Sequence, residues 1–135
     1  MRKKTKQTDR GRDEELLARL NRHPDIKERM QAILRLAESE DGTSAHTADE
    51  IETLLIQEVR QLGQQTMSDW AKTQAQRVAK EVKAQHPRSF PSKKKRLKWW
   101  CVFGALEVEE TIWRTPTKSY LRVLAPRLGV RALHP

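Results

Sequence analysis

The run of residues with the most chemical content lies between positions 93 and 100. Four consecutive cations are followed by a fifth cation and two tryptophans: Lys93, Lys94, Lys95, Arg96, Lys98, Trp99 and Trp100. Cations neutralise phosphates, and aromatic rings pack against sugars or bases, so we expect this run to bind a polyanion, most simply DNA. Because short basic runs are weak motifs, the alternative is a solubilising charge run in front of an ordinary hairpin. A tryptophan in a strand can also be a core residue rather than a contact.

The residue spacing gives little support for a metal site, a nucleotide site or a catalytic site. The four histidines are scattered, and none stands at a metal-ligand spacing from another histidine or from Cys101, so we expect no metal. The five glycines stand singly, which argues against a phosphate-binding loop and a nucleotide cofactor. Without a paired nucleophile and base, the chain by itself is expected to be neither an enzyme nor the receptor of a small-molecule substrate.

Carboxylates cluster at positions 13–15, 49–52 and 107–110. Charged side chains are almost never fully buried unless they are paired. The first two clusters are therefore expected to be helix-start charges, and the third is expected to lie on a solvated strand face.

Charge is distributed unevenly over the 135 residues, whose formal net charge is +9. Residues 1–12 carry +5, residues 13–70 carry −7 and residues 71–135 carry +11. An acidic middle between basic ends suggests separate roles: packing or self-association for the middle, and binding for the C-terminal half.

The sequence also predicts the compartment. Cys101 is the only cysteine, so no internal disulfide can form and a reducing, cytoplasmic location is expected. The polar N-terminus has no apolar signal region. No window approaches the roughly 18 consecutive apolar residues of a membrane span, so we expect no membrane partner.

The first two thirds of the chain are predicted to be helical, which makes the fold class mainly α. Residues 1–12 are expected to be a disordered basic arm, and residues 13–86 a helical bundle. Its first helix runs from near Asp13 to Asn21, and its second opens at Pro24 and ends before the loop at 41–46. Thr47 and Glu50 form a capping box for one long helix over 48–85. Apolar periodicity predicts a shared core of Ile33, Leu34, Leu55, Val59 and Leu62.

The last third is predicted to be a basic linker, a β-hairpin and a tail. Two prolines place the linker at 87–96, and alternating residues place the hairpin at 97–114. Its strands are expected at 97–103 and 106–113, reversing at Gly104-Ala105. Residues 115–135 are expected to be a loose basic tail.

The hairpin region resembles the N-terminal part of ISKra-type bacterial insertion-sequence transposases. The likeness lies in the basic run at 93–96, in Phe103-Gly104, in Leu106 and Val108, and in Arg114. Upstream, residues 15–34 resemble the opening helices of that family. Residues 48–71 resemble its next segment, including positions 58–63 and Trp70. Residues 125–130 also resemble a segment of that family.

The resemblance covers about residues 14–130 and rests on the order of several weak motifs. It implies a DNA-binding and oligomerising role in transposition, with transposon ends as the partner and a homo-oligomer as the assembly. The metal-binding acidic triad of such transposases lies in a downstream domain, so no catalytic residue is carried over to this chain. The alternative is a helical homodimerisation or protein-interaction module whose basic tail only solubilises it.

Overall fold

The computed structural model describes the backbone of residues 2–38 and 47–130, and the side chains of residues 9–38 and 47–130. The predicted loop at 41–46 and the last five residues of the predicted tail lie outside the described residues. The chain divides into two compact units, residues 1–62 and 63–135. This boundary falls inside the long helix rather than at residue 86, so the second half of that helix belongs with the hairpin.

Three helices account for most of the described chain: α1 (Arg2–Arg22), α2 (Pro24–Glu38) and α3 (Ala48–Gln85). The predicted bounds of α2 and α3 are confirmed. The Glu50 N–H donates to Thr47 Oγ1 at 3.3 Å, which is one half of the predicted capping box. The expectation of a disordered arm over residues 1–12 is wrong from Arg2 onward. Its arginines, lysines and glutamine are strong helix formers, and they extend α1 upstream of Asp13.

In the first unit, polar contacts join α2 to α3, but the described side chains form almost no buried core. Arg29 on α2 donates to Glu58 and Gln61 on α3, at 3.2 and 2.6 Å, and these bonds join the two helices. None of the described side chains of residues 9–38 and 47–62 is buried. Leu34, Leu55 and Val59 are 56%, 39% and 46% exposed. The predicted shared core is therefore wrong for the chain alone, because the apolar stripe exists but its surface is not covered.

The second unit contains the hydrophobic core. Strands β1 (Phe90–Cys101), β2 (Gly104–Arg114) and β3 (Tyr120–Leu121) form an antiparallel sheet in the order β1-β2-β3, followed by α4 (Leu124–Leu128). The core cluster joins the second half of α3 to the hairpin and α4, and comprises Ala71, Val78, Val82, Leu97, Trp99, Leu106, Val108, Trp113, Leu124 and Ala125.

The linker predicted at 87–96 is much shorter, because β1 already begins at Phe90. Pro91 is tolerated there since β1 is an edge strand of the described sheet, so one row of its backbone groups pairs with no other described strand. The pairing register shifts between Pro91 and Lys93, as a β-bulge would shift it.

The hairpin reverses at Val102-Phe103 rather than at the predicted Gly104-Ala105. Gly104 supplies the expected positive φ, at +116°, but as the first residue of β2. Glycine adopts a positive φ without the steric cost that a Cβ would add.

The predicted tail is ordered, not loose, over residues 115–130, the part of it that the structure describes. Thr115 and Ser119 close a tight turn through a 2.9 Å backbone hydrogen bond, and β3 pairs with β2 immediately after it. Leu124 and Ala125 are buried in the core. No helix within residues 2–38 and 47–130 is long and apolar enough to cross a membrane.

Candidate nucleic-acid interface

Strand β1 divides the basic run between the two faces of the sheet. Leu97 and Trp99 are buried, at 1% and 8% exposure. Lys98, which lies between them, and Trp100, which follows them, are exposed. Because successive side chains of a strand project to opposite faces, Lys94 and Arg96 lie on the face of Lys98 and Trp100. We call these four residues the outer row. Lys93 and Lys95 lie on the opposite face, with Leu97.

The two tryptophans have different environments. Trp99 belongs to the core cluster, so its ring is not available for contact with a nucleic acid. Trp100 is 69% exposed, and its ring is free to contact a ligand. The sequence alone allows a core role or a contact role for each tryptophan, and the pleat of the strand decides between them.

Two glutamates on β2 face the cations of the outer row. Lys94 Nζ lies 3.4 Å from Glu109 Oε1, and an Arg96 guanidinium nitrogen lies 3.6 Å from Glu107 Oε1. All four side chains are about half exposed or more, and exposed ion pairs are worth only about 0–1 kcal/mol. The cations can therefore exchange these partners for phosphates at little cost, although the glutamates reduce the positive potential of the face.

A second cationic region lies where the hairpin opens, at residues 86–93 and 114–120, and we call it the open end. Arg114 pairs with Phe90 on one side and with Tyr120 on the other, so the three residues form one cross-strand row. Lys93 Nζ lies 5.0 Å from the centroid of the Tyr120 ring, and the Arg114 guanidinium carbon lies 5.9 Å from it. These distances are typical of cation–π contacts. Phe90 and Tyr120 are nevertheless 52% and 55% exposed.

A cavity of about 300 Å³ belongs to the open end, and it is lined by His86, Pro87, Arg88, Ser89, Thr115 and Pro116. Beside it, the hydroxyls of Thr115, Thr117 and Ser119 are hydrogen-bonded to one another at 2.9 to 3.2 Å. The Ser89 hydroxyl donates to the His86 carbonyl at 2.7 Å. A hydroxyl that rotates away from its present partner can donate to an oxygen-rich anion.

Sequence reasoning missed the open end as a site. The residues of the open end fall mostly in the predicted linker at 87–96 and the predicted tail at 115–135, and of these residues only Lys93 is a predicted DNA-binding residue. A signal was present in the composition, because residues 82–106 and 111–135 contain no aspartate or glutamate. A cation in one of these segments can therefore form an ion pair only with an acidic side chain from another part of the chain.

The expectation that the carboxylates at 107–110 are all solvated is wrong for Glu110, which is fully buried. Its carboxylate accepts from Arg122 Nε at 2.7 Å and from the Ala125 N–H at 2.9 Å. Burial of a charge is tolerated when it is paired and hydrogen-bonded in this way. Glu110 therefore ties the segment after β3 to β2, which explains why the predicted loose tail is ordered.

Residues 2–38 and 47–130 contain no group of three or more histidine, cysteine, aspartate or glutamate side chains that could hold a metal ion. The chain matches no family model, no curated protein and no solved structure.

Proposed function

We propose that this protein binds DNA through its basic hairpin, as the non-catalytic N-terminal part of an insertion-sequence transposase. The DNA-binding part of the proposal rests on one observation: Lys94, Arg96, Lys98 and Trp100 lie in a single exposed row on β1. Alternate strand residues are about 7 Å apart, so the three cations span about 14 Å and can contact successive phosphates. The transposase part rests on the sequence resemblance given above.

A salt titration tests the DNA-binding part. If the three cations of the outer row each neutralise one phosphate, the logarithm of the binding constant for duplex DNA should fall with the logarithm of salt at a slope near −2.7. Fluorescence anisotropy with a labelled duplex measures this slope. Replacing all three cations with alanine should flatten it by about 2 to 3 units, at about 0.9 unit per contact.

The matched control removes the same charge from α3. Lys72, Lys80 and Lys83 are also exposed, and their alanine triple variant should change the slope much less. Equal effects of the two triple variants would mean that net charge, rather than the outer row, determines binding. No measurable binding at low salt would refute the DNA-binding proposal.

The non-catalytic part of the proposal has its own test. Purified protein supplied with Mg²⁺ or Mn²⁺ should neither nick nor join transposon-end DNA. Strand transfer by this chain alone would refute it. A reading frame for an RNase H-like domain downstream in the same element would support the transposase assignment.

A second candidate function is self-association through the first unit, and the exposed apolar stripe favours it. Leu34 on α2 and Leu55, Ile56 and Val59 on α3 are 39% to 56% exposed. A second copy of the chain would present the same stripe, and two stripes can cover each other in a symmetric dimer.

Sedimentation equilibrium should then show a dimer, and Leu55→Asp should dissociate it, since an unpaired carboxylate in an apolar interface costs several kcal/mol. Gln57→Asp, at an exposed position on the same helix, is the control that adds the same charge. A monomeric wild-type chain would exclude this function.

A further inference from the structure

We propose that the open end binds an unpaired DNA strand, with a phosphate seated at its cavity and a base stacked on an exposed aromatic ring. This inference rests on the proposed DNA binding and deepens it, because it assigns a second surface and a different form of the nucleic acid. Three independent features of the open end support it.

The first feature is uncompensated positive charge. Arg88, Lys93, Arg114 and Lys118 come from two segments without a single acidic residue. The carboxylate on this part of β2, Glu110, is buried and already bonded to Arg122 and Ala125. In the outer row, by contrast, two of the three cations face glutamates at 3.4 and 3.6 Å. A phosphate at the open end therefore meets cations without displacing a carboxylate.

The second feature is the aromatic row. Phe90 and Tyr120 flank Arg114 on adjacent strands, which places the two aromatic residues roughly 10 Å apart at about 4.8 Å per strand. Both are more than half exposed although they lie in strands. Exposed aromatic rings with neighbouring arginines are the usual stacking platform for single-stranded nucleic acid, since every base has a π-face. The bases of a duplex are stacked on one another, so an unpaired strand fits this row better.

The third feature is the cavity. Its volume of about 300 Å³ is at the lower end of the range for small-ligand pockets. Its lining combines one guanidinium, one imidazole and two hydroxyl-bearing residues. The neighbouring hydroxyls of Thr117 and Ser119 add polar groups that can turn toward a phosphate. The cavity thus offers an anion site next to the row on which a base would stack.

Fluorescence anisotropy with a labelled single strand of about twelve nucleotides, and with a duplex of the same sequence, tests the proposal. Tyr120→Ala should weaken binding of the single strand by about 5- to 150-fold, the range for loss of one base–aromatic stack. Tyr120→Phe keeps the ring and should bind the single strand like the wild type. Trp70→Ala removes another exposed aromatic ring, on α3 and outside both surfaces, and should leave single-strand affinity unchanged.

A second variant keeps the test decisive if Tyr120→Ala does not fold, as judged by circular dichroism. Arg114→Gln should reduce the salt slope for the single strand by about 0.7 unit, the value for one phosphate contact on single strands. An unchanged slope would overturn the proposal.

The outcomes separate this inference from the proposed function. If Tyr120→Ala and Phe90→Ala fold and bind the single strand like the wild type, the open end is not the site, while duplex binding by the outer row still stands. If the wild type binds neither form of DNA at low salt, both proposals fail.

Discussion

The outer row and the open end draw cations from the same strand, β1, but their electrostatic surroundings differ. Lys94 and Arg96 face glutamates across the hairpin, whereas Lys93 lies over the ring of Tyr120. The four consecutive cations of the sequence therefore do not form one uniform patch. The strand pleat sends alternate residues to surfaces with different partners, and those partners set how strongly each surface attracts an anion.

The largest effect is expected from Glu110→Ala, which removes the contact that ties the segment after β3, next to the open end, to β2. The change leaves the buried Ala125 N–H without its acceptor and Arg122 without its partner. A lost hydrogen bond to a charged group costs about 1.5–3 kcal/mol. Urea unfolding should show this loss of stability, and binding at the open end should weaken more than binding at the outer row.

Glu109→Ala is the control for this variant, because its exposed pair with Lys94 contributes only about 0–1 kcal/mol. If Glu110→Ala and Glu109→Ala have equal stabilities, Glu110 does not hold the segment after β3 in place.

Gly63→Ala should lower the stability of the fold and should leave the DNA affinities of the outer row and the open end unchanged. A Cβ at this position would overlap the Phe103 ring, which lies in the turn of the hairpin. Overpacking of this kind typically costs about 1–3 kcal/mol. Thermal unfolding measures the loss, and both surfaces should keep their affinities well below the melting temperature.

Gly11→Ala provides the opposite case on α1. No atom lies within 4 Å of the added Cβ, so the change should stabilise the helix by up to about 1 kcal/mol. If Gly63→Ala is as harmless as Gly11→Ala, the turn packs differently from this structure.

The smallest effect is expected from Glu107→Gln/Glu109→Gln, which makes the outer row electrostatically more like the open end. At about 7 Å in a water-like dielectric, each removed negative charge is worth about 0.6 kcal/mol toward a phosphate. Duplex affinity should rise a few-fold at low salt, and the gain should shrink as salt increases. Single-strand affinity should not change. An unchanged duplex affinity would show that the outer row does not contact the phosphates.

Local sequence patterns predicted the helices and the existence of the hairpin. The bounds of α2 and α3 followed from Pro24, from the Thr47 cap and from the prolines after His86, all of which act over one helical turn. Period-two alternation likewise predicted the hairpin, and the apolar residues Leu106, Val108 and Ile112 on one face of β2 are buried. For the candidate site, the sequence identified the cations of β1 but not their division between two surfaces.

The sequence by itself thus determined the elements whose signals lie within a few residues of one another. The tertiary structure alone decided what depends on residues distant in the chain. It paired Glu110 with Arg122, placed Trp99 inside and Trp100 outside, and aligned Phe90, Arg114 and Tyr120 from three strands. The apolar stripe of the first unit shows the same division, because periodicity predicts an apolar face, while its burial depends on which surface covers it.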